Sequence, residues 1–270
     1  RMISQDVGLA IFGTTSEGNS LSVDEKIRLL EVLVANGIKT KTMMPGTGCC
    51  ALSDTTKLTM HATKLGVGGV LMLPPFYYKD VTDDGLYRSY SEVIQRIGSS
   101  DLRIYLYHIP PVAKIAITLE LIERLMRDYP ETIAGIKDSS GDWAHTSAML
   151  DQKWDNFRIF VGSEGHLLAN MRHGGAGCIS ATANVNPISI RKLYENWQSS
   201  DADEQQTALN RVRNTFTQYP LIPALKHCVA HYTEDQEWAR LRPPLVPLPL
   251  SQKENLFKDL EALRFKFPGS

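Results

Sequence analysis

Thr132-Ile133-Ala134-Gly135-Ile136-Lys137-Asp138-Ser139-Ser140-Gly141 is an apolar run that closes on a lysine and passes at once into polar residues. It reads as a buried β-strand followed by the turn that leaves it. Burial at a strand end disfavours an ammonium and favours the free amine, the form that attacks a carbonyl carbon. Alone, such a lysine reads as a surface residue marking where the strand leaves the core. A second run upstream shifts that reading. Arg103-Ile104-Tyr105-Leu106-Tyr107 ends in a phenol and is followed by His108-Ile109-Pro110-Pro111. An amine and a phenol at the ends of successive strands are the pair that imine chemistry on a keto substrate requires.

Outward from these two runs, strand segments fall at 8–12, 40–45, 69–73, 103–107, 133–137, 158–162 and 176–180. Most are continuously apolar, as parallel strands buried on both faces should be. Helical patterns lie between them. Ser22 and Glu25 form a capping box, Val23, Ile27, Leu30 and Val34 follow at helical spacing, and Gly37 closes the helix. Further helices are expected near 54–65, 85–97, 119–127 and 165–171. Strand–helix alternation predicts an α/β fold, either a TIM (β/α)8 barrel or a doubly wound sheet. The barrel is favoured on two counts. Gly13-Thr14-Thr15-Ser16-Glu17-Gly18 is no dinucleotide loop, and Gly66-Val67-Gly68-Gly69 leads into a strand rather than opening a helix. The chemically interesting residues also sit at C-terminal strand ends, where barrels place active sites. Seven strands are found, so a first strand and helix are expected to be missing from this chain. The barrel is assigned to residues 1–186, with its final helix and a C-terminal helical extension over 187–270. Helices are expected there at 187–198, 204–218, 220–232 and 252–264, with the proline-rich 242–250 as a stiff connector.

Composition narrows the function classes. The chain of 270 residues has a formal net charge of -1 and no basic patch interleaved with aromatics, which argues against nucleic acid or an anionic membrane as partner. No apolar run is long enough to span a membrane. Cys49, Cys50, Cys178 and Cys228 have neither a disulfide framework nor metal spacing, and a reduced, cytoplasmic compartment is expected. No metal and no cofactor are expected.

Five ordered motifs resemble the dihydrodipicolinate synthase / N-acetylneuraminate lyase family. Gly13-Thr14-Thr15-Ser16-Glu17 is similar to its GTTGE motif, Tyr107-His108-Ile109-Pro110 to Y-N-x-P, and Gly135-Ile136-Lys137-Asp138 to G-I-K-[DE]. Pro74-Pro75-Phe76-Tyr77-Tyr78-Lys79 resembles its aromatic loop, and 174–180 the segment at its eighth strand. The resemblance implies a (β/α)8 class I aldolase or lyase that binds pyruvate or a related 2-keto acid covalently and joins it to an aldehyde. By that resemblance Lys137 forms the Schiff base and Tyr107 moves protons. Thr14 and Thr15 hold the substrate carboxylate, Thr15 also serving catalysis, and Tyr78 (after it Tyr77) reaches a neighbouring subunit's site. Gly162 and Ile179 complete the expected substrate-binding set, and a homo-oligomer, dimer or tetramer, is implied.

The chain also departs from the pattern. Dihydrodipicolinate synthases carry an arginine five residues after the motif tyrosine to grip the aldehyde's carboxylate. Here that position is Val112, with only Lys114 nearby. Losing a bidentate fork removes the anchor for an anionic second substrate, so a neutral, apolar or sugar-derived aldehyde fits better. His108 stands for the motif asparagine and Ser16 for the motif glycine. The same lysine could serve a keto-sugar-acid dehydratase or decarboxylase, or the barrel could bind a keto acid as a regulator without turnover. Lys79, a rival amine, lies beside Asp80, Asp83 and Asp84 in what reads as a solvated loop.

Overall fold

Parallel pairing of strands in strict chain order organises the molecule, a computed structural model that describes residues 2–268. The strands are β1 (Val70–Met72), β2 (Ile104–His108), β3 (Ile133–Asp138), β4 (Arg158–Val161) and β5 (Gly177–Cys178), in the order β1-β2-β3-β4-β5. The first two expected strands are much reduced. The 8–12 and 40–45 segments contribute single parallel bridges, Leu9 to Met43 and Gly46 to Leu71. Local chemistry accounts for this. Thr42 Oγ1 donates to the Lys39 carbonyl at 2.7 Å and Thr40–Thr42 coil into a 3₁₀ turn. Phe12, at φ 61°, bends the chain three residues after the bridge at Leu9. The sheet direction nevertheless carries through, because Met44 N donates to the Leu9 carbonyl, Gly46 N to Ile11 and Thr47 N to Leu71. Among the described residues no bridge joins the 8–12 segment to β5. A cavity of about 410 Å³, bordered by Leu9, Ile11, Phe160 and Cys178, lies between them.

Between the strands run α1 (Val23–Ala35), α2 (Leu52–Lys64), α3 (Asp83–Ile97), α4 (Pro110–Ala113), α5 (Leu119–Asp128), α6 (Trp143–Asp151) and α7 (Leu167–Arg172). The Ser22–Glu25 capping box forms as read, and Thr82 and Thr118 cap α3 and α5. Two helices went unread. Prolines start α4, and Asp142, accepting from Ala144 N, starts α6. The main core packs Leu58, Val93, Leu121, Ile122 and Met149 against strand residues such as Ile104, Leu106 and Ile136, all buried. Burying each such side chain contributes roughly 1.5–3 kcal/mol. Then follow α8 (Pro187–Glu195), α9 (Ala202–Thr217), α10 (Leu221–Tyr232) and α11 (Leu250–Ala262). Phe216, Leu225, Leu256 and Phe267 make a second core there. This layer is pinned to the front of the chain by Lys226 Nζ to Glu17 Oε2 at 2.5 Å and by Arg242 to the Ser20 carbonyl at 3.2 Å.

Candidate active site

Register decides the geometry. In the parallel β2–β3 pair Tyr107 is the direct partner of Lys137, and His108 of Asp138. Because side chains alternate along a strand, Lys137 and Tyr107 share one face while Asp138 and His108 share the other. Lys137, 9% exposed, donates from Nζ to the Tyr107 hydroxyl at 3.3 Å, and that hydroxyl lies 3.2 Å from Thr14 Oγ1. An amine, a phenol and a threonine hydroxyl thus form one chain of hydrogen bonds. It runs from the centre of the sheet to the loop after the 8–12 segment.

That loop is rigidly held. Gly18 and Gly46 both lie against Phe12, and a Cβ on either would come within 2.1 and 2.5 Å of its carbonyl oxygen. Glu17, also at positive φ, is tied to Lys226 of α10. Thr14 and Thr15 border a cavity of about 270 Å³ together with Tyr107, Lys137, Ser139 and Gly162. Gly162 is where a backbone must come close: its amide donates to the Asp138 carbonyl at 2.6 Å, and a Cβ would meet Ser139 Oγ at 2.0 Å. The expected Lys137, Tyr107, Thr14, Thr15 and Gly162 therefore share one cavity.

Two expected residues do not. Ile179 pairs through its amide with the Val161 carbonyl and borders the 410 Å³ cavity, which also touches Lys137 and Thr14. Tyr78 is 72% exposed, stacks edge-on with Tyr77 at 5.4 Å between centroids, and lies outside this chain's own cavity. Lys79 is exposed and donates to the Phe76 and Ala113 carbonyls, the latter at 3.1 Å, so it stays on its own loop.

Behind the strand ends sits a buried polar cluster. Asp138 accepts from Ser140 N at 2.9 Å, Thr146 Oγ1 at 2.8 Å and His145 Nδ1 at 3.0 Å. Burial pushes its carboxyl up, but these hydrogen bonds outweigh it and hold it at about 2. The bond to Asp138 raises His145 above its ordinary value. His108 stacks on His145 at 4.3 Å, accepts the Ile117 amide at Nδ1 (3.0 Å), and is pushed down to about 4 by burial. His108, Asp138 and His145 would suit a metal by distance alone. Asp138 and His145 Nδ1 are engaged with one another, Asp138 also with Ser140 and Thr146, and His108 Nδ1 with the Ile117 amide. His145 belongs to α6, whose Asp142 cap was the available signal in the sequence.

The far wall was not anticipated. Glu164, fully buried, receives Arg213 Nη1 at 3.1 Å and the hydroxyls of Ser180 and Thr182. Arg213, from α9, reaches the cavity beside Ser163 and His166. No motif marked it.

Comparison with known proteins agrees with this architecture. The dihydrodipicolinate synthetase family model matches residues 3–263. An uncharacterized DapA-like lyase from Chloroflexus aurantiacus is 36% identical over 242 residues, covering 89% of this chain and 80% of that protein. A 4-hydroxy-tetrahydrodipicolinate synthase from Thermus thermophilus is 33% identical over 194 residues, 72% of this chain and 64% of that protein. Among solved structures, dihydrodipicolinate synthase from Agrobacterium tumefaciens superposes with a TM-score of 0.86 at 31% identity, covering 95% of this chain and 87% of that one. The overall fold is that of the family's TIM barrels.

Proposed function

Since the chain belongs to the dihydrodipicolinate synthetase family, we propose that it is a class I lyase that forms an imine between Lys137 and pyruvate or a related 2-keto acid. The observation that carries this is the chain from Lys137 Nζ through the Tyr107 hydroxyl to Thr14 Oγ1. Nζ adds to the keto carbon, and the carbinolamine oxygen takes up protons and leaves as water. The resulting iminium accepts the electron pair released when a methyl proton is lost. The enamine so formed attacks an aldehyde carbon, or the reverse cleavage regenerates it. Tyr107 bridges the amine and Thr14, so it can pass a proton either way without moving. Thr14 and Thr15, on the braced loop, bind the keto-acid carboxylate, and Gly162 leaves room beside it.

For the aldehyde, Val112 is the guide. It is 60% exposed, at the position that carries the carboxylate-binding arginine in dihydrodipicolinate synthases. A partner without a carboxylate suits it better than aspartate semialdehyde. Tyr78, turned outward from its own cavity, would complete the site of a neighbouring copy in a homo-oligomer. Borohydride reduction in the presence of pyruvate, followed by peptide mass analysis, tests the imine. A mass increment on the Lys137 peptide is expected. Labelling of Lys79 alone, or of no lysine with any 2-keto acid, would overturn the proposal.

A further inference from the structure

The imine leaves Glu164 and Arg213 without a task, yet Arg213 borders the cavity and Glu164 is buried in contact with it. Burying a carboxylate is costly unless it is paired and hydrogen-bonded, and Glu164 is held by Arg213, Ser180 and Thr182 while its carbonyl takes Gln206 Nε2 at 2.9 Å. Arg213 Nη1 also donates to Ser180 Oγ at 3.3 Å. Among the described residues its Nε and Nη2 have no protein partner. The guanidinium is thus fixed on one side and open on the other, at a wall it shares with Ser139, Ser140, Ser163 and His166. The pair carries no net charge. A second carboxylate placed there would leave the buried group net negative, whereas a hydroxyl oxygen would accept a hydrogen bond without changing its charge.

We propose that Arg213 is a specificity residue for the second substrate. Its open N–H groups donate to the distal hydroxyl oxygens of an uncharged, polyhydroxylated aldehyde, and Glu164 is the positioning residue that holds the guanidinium. This deepens the imine reading and rests on it for turnover.

The test compares carbon–carbon bond formation from pyruvate with D-glyceraldehyde, propanal and succinic semialdehyde. In the wild type D-glyceraldehyde is favoured over both others. In Arg213→Met the ratio of kcat/KM for D-glyceraldehyde to that for propanal falls about tenfold, the effect of losing a hydrogen bond to a substrate hydroxyl. Arg213→Lys, which keeps the pair with Glu164, recovers part of it and guards against a folding defect in the first variant. A ratio unchanged within about twofold, or wild-type preference for succinic semialdehyde, overturns the proposal. Borohydride trapping with pyruvate alone reports the imine separately. Should no adduct form, saturation-transfer NMR with D-glyceraldehyde still reads the subsite. Contact with the wild type that is lost in Arg213→Met supports it, and equal contact in both rules it out.

Discussion

The two ends of the 270 Å³ cavity are built by different means. At one end Lys137 and Tyr107 are register partners in adjacent parallel strands, and Thr14 follows the segment bridged to Met43. At the other end Arg213 rises from α9, forty-nine residues beyond the Glu164 it holds, and Val112 comes from the short α4. Register cannot slip by one residue without turning every side chain to the opposite face. The amine–phenol pair is therefore locked by the same hydrogen bonds that hold the sheet. The far wall rests on helices and a loop, where a single substitution leaves the sheet untouched. The proposed function assigns reaction chemistry to the rigid end and choice of partner to the variable one.

The sharpest way to break this contrast is to remove the amine. Lys137→Ala is expected to lower kcat by at least about a thousandfold while circular dichroism and the thermal midpoint stay near the wild type. Appreciable residual turnover would refute the imine. Tyr107→Phe should cost about 10²–10⁴ in kcat with little change in KM for pyruvate. If the two groups act as a unit, the double variant should be no slower than Lys137→Ala alone. Additive losses would mean that Tyr107 serves some other step.

The same contrast governs what could be read from the sequence. That Lys137, Tyr107, Thr14 and Thr15 lie around one cavity was legible because each lies at or just beyond the end of an apolar run, and alternation correctly turned His108 away from Tyr107. Strands 8–12 and 40–45 were overread, since apolar runs look alike whether they pair along their length or touch at one bridge. Helix α6 was missed: its strongest cue was a single capping aspartate, and it brought His145 to Asp138. Arg213 could not have been found. Its role depends on how α9 packs, and nothing local distinguishes it from the chain's other arginines.

Beneath the rigid end, the histidine cluster gives it a pH signature. His108 is held at about 4 against an ordinary value of 6.5, so below pH 6.5 the unfolded chain takes up a proton that the folded one refuses. Stability should fall between pH 6.5 and 4 by roughly 3 kcal/mol from this group. His145 acts in the opposite sense. Raised by Asp138, with Asp142 adding to the effect, it contributes fully below 6.5, and that contribution is lost as pH rises through its folded value. Asp138, at about 2, contributes above its ordinary range and loses that contribution only in strong acid. The cluster is thus most stabilising near pH 6.5. Urea midpoints against pH should show this maximum, with His108→Asn flattening the acid limb and His145→Gln the alkaline one. A monotonic profile in the wild type would remove the cluster from the account.

The smallest expected effect bears most directly on the far wall. Val112→Arg restores a guanidinium where the dihydrodipicolinate synthases carry theirs, and at 60% exposure the site can accept it without disturbing the core. An exposed charge pair with a bound carboxylate is expected to raise kcat/KM for aspartate semialdehyde up to about fivefold. The gain should appear in KM, and borohydride trapping at Lys137 should be unaltered, because the added charge touches the partner and not the imine. It should also shrink as salt rises. If the variant instead impairs pyruvate trapping, the two ends of the cavity are coupled and the division of labour drawn from β2, β3 and α9 does not hold. If aspartate semialdehyde is already the better substrate of the wild type, another cation grips its carboxylate, and among the described residues Arg213 is the arginine that borders the cavity.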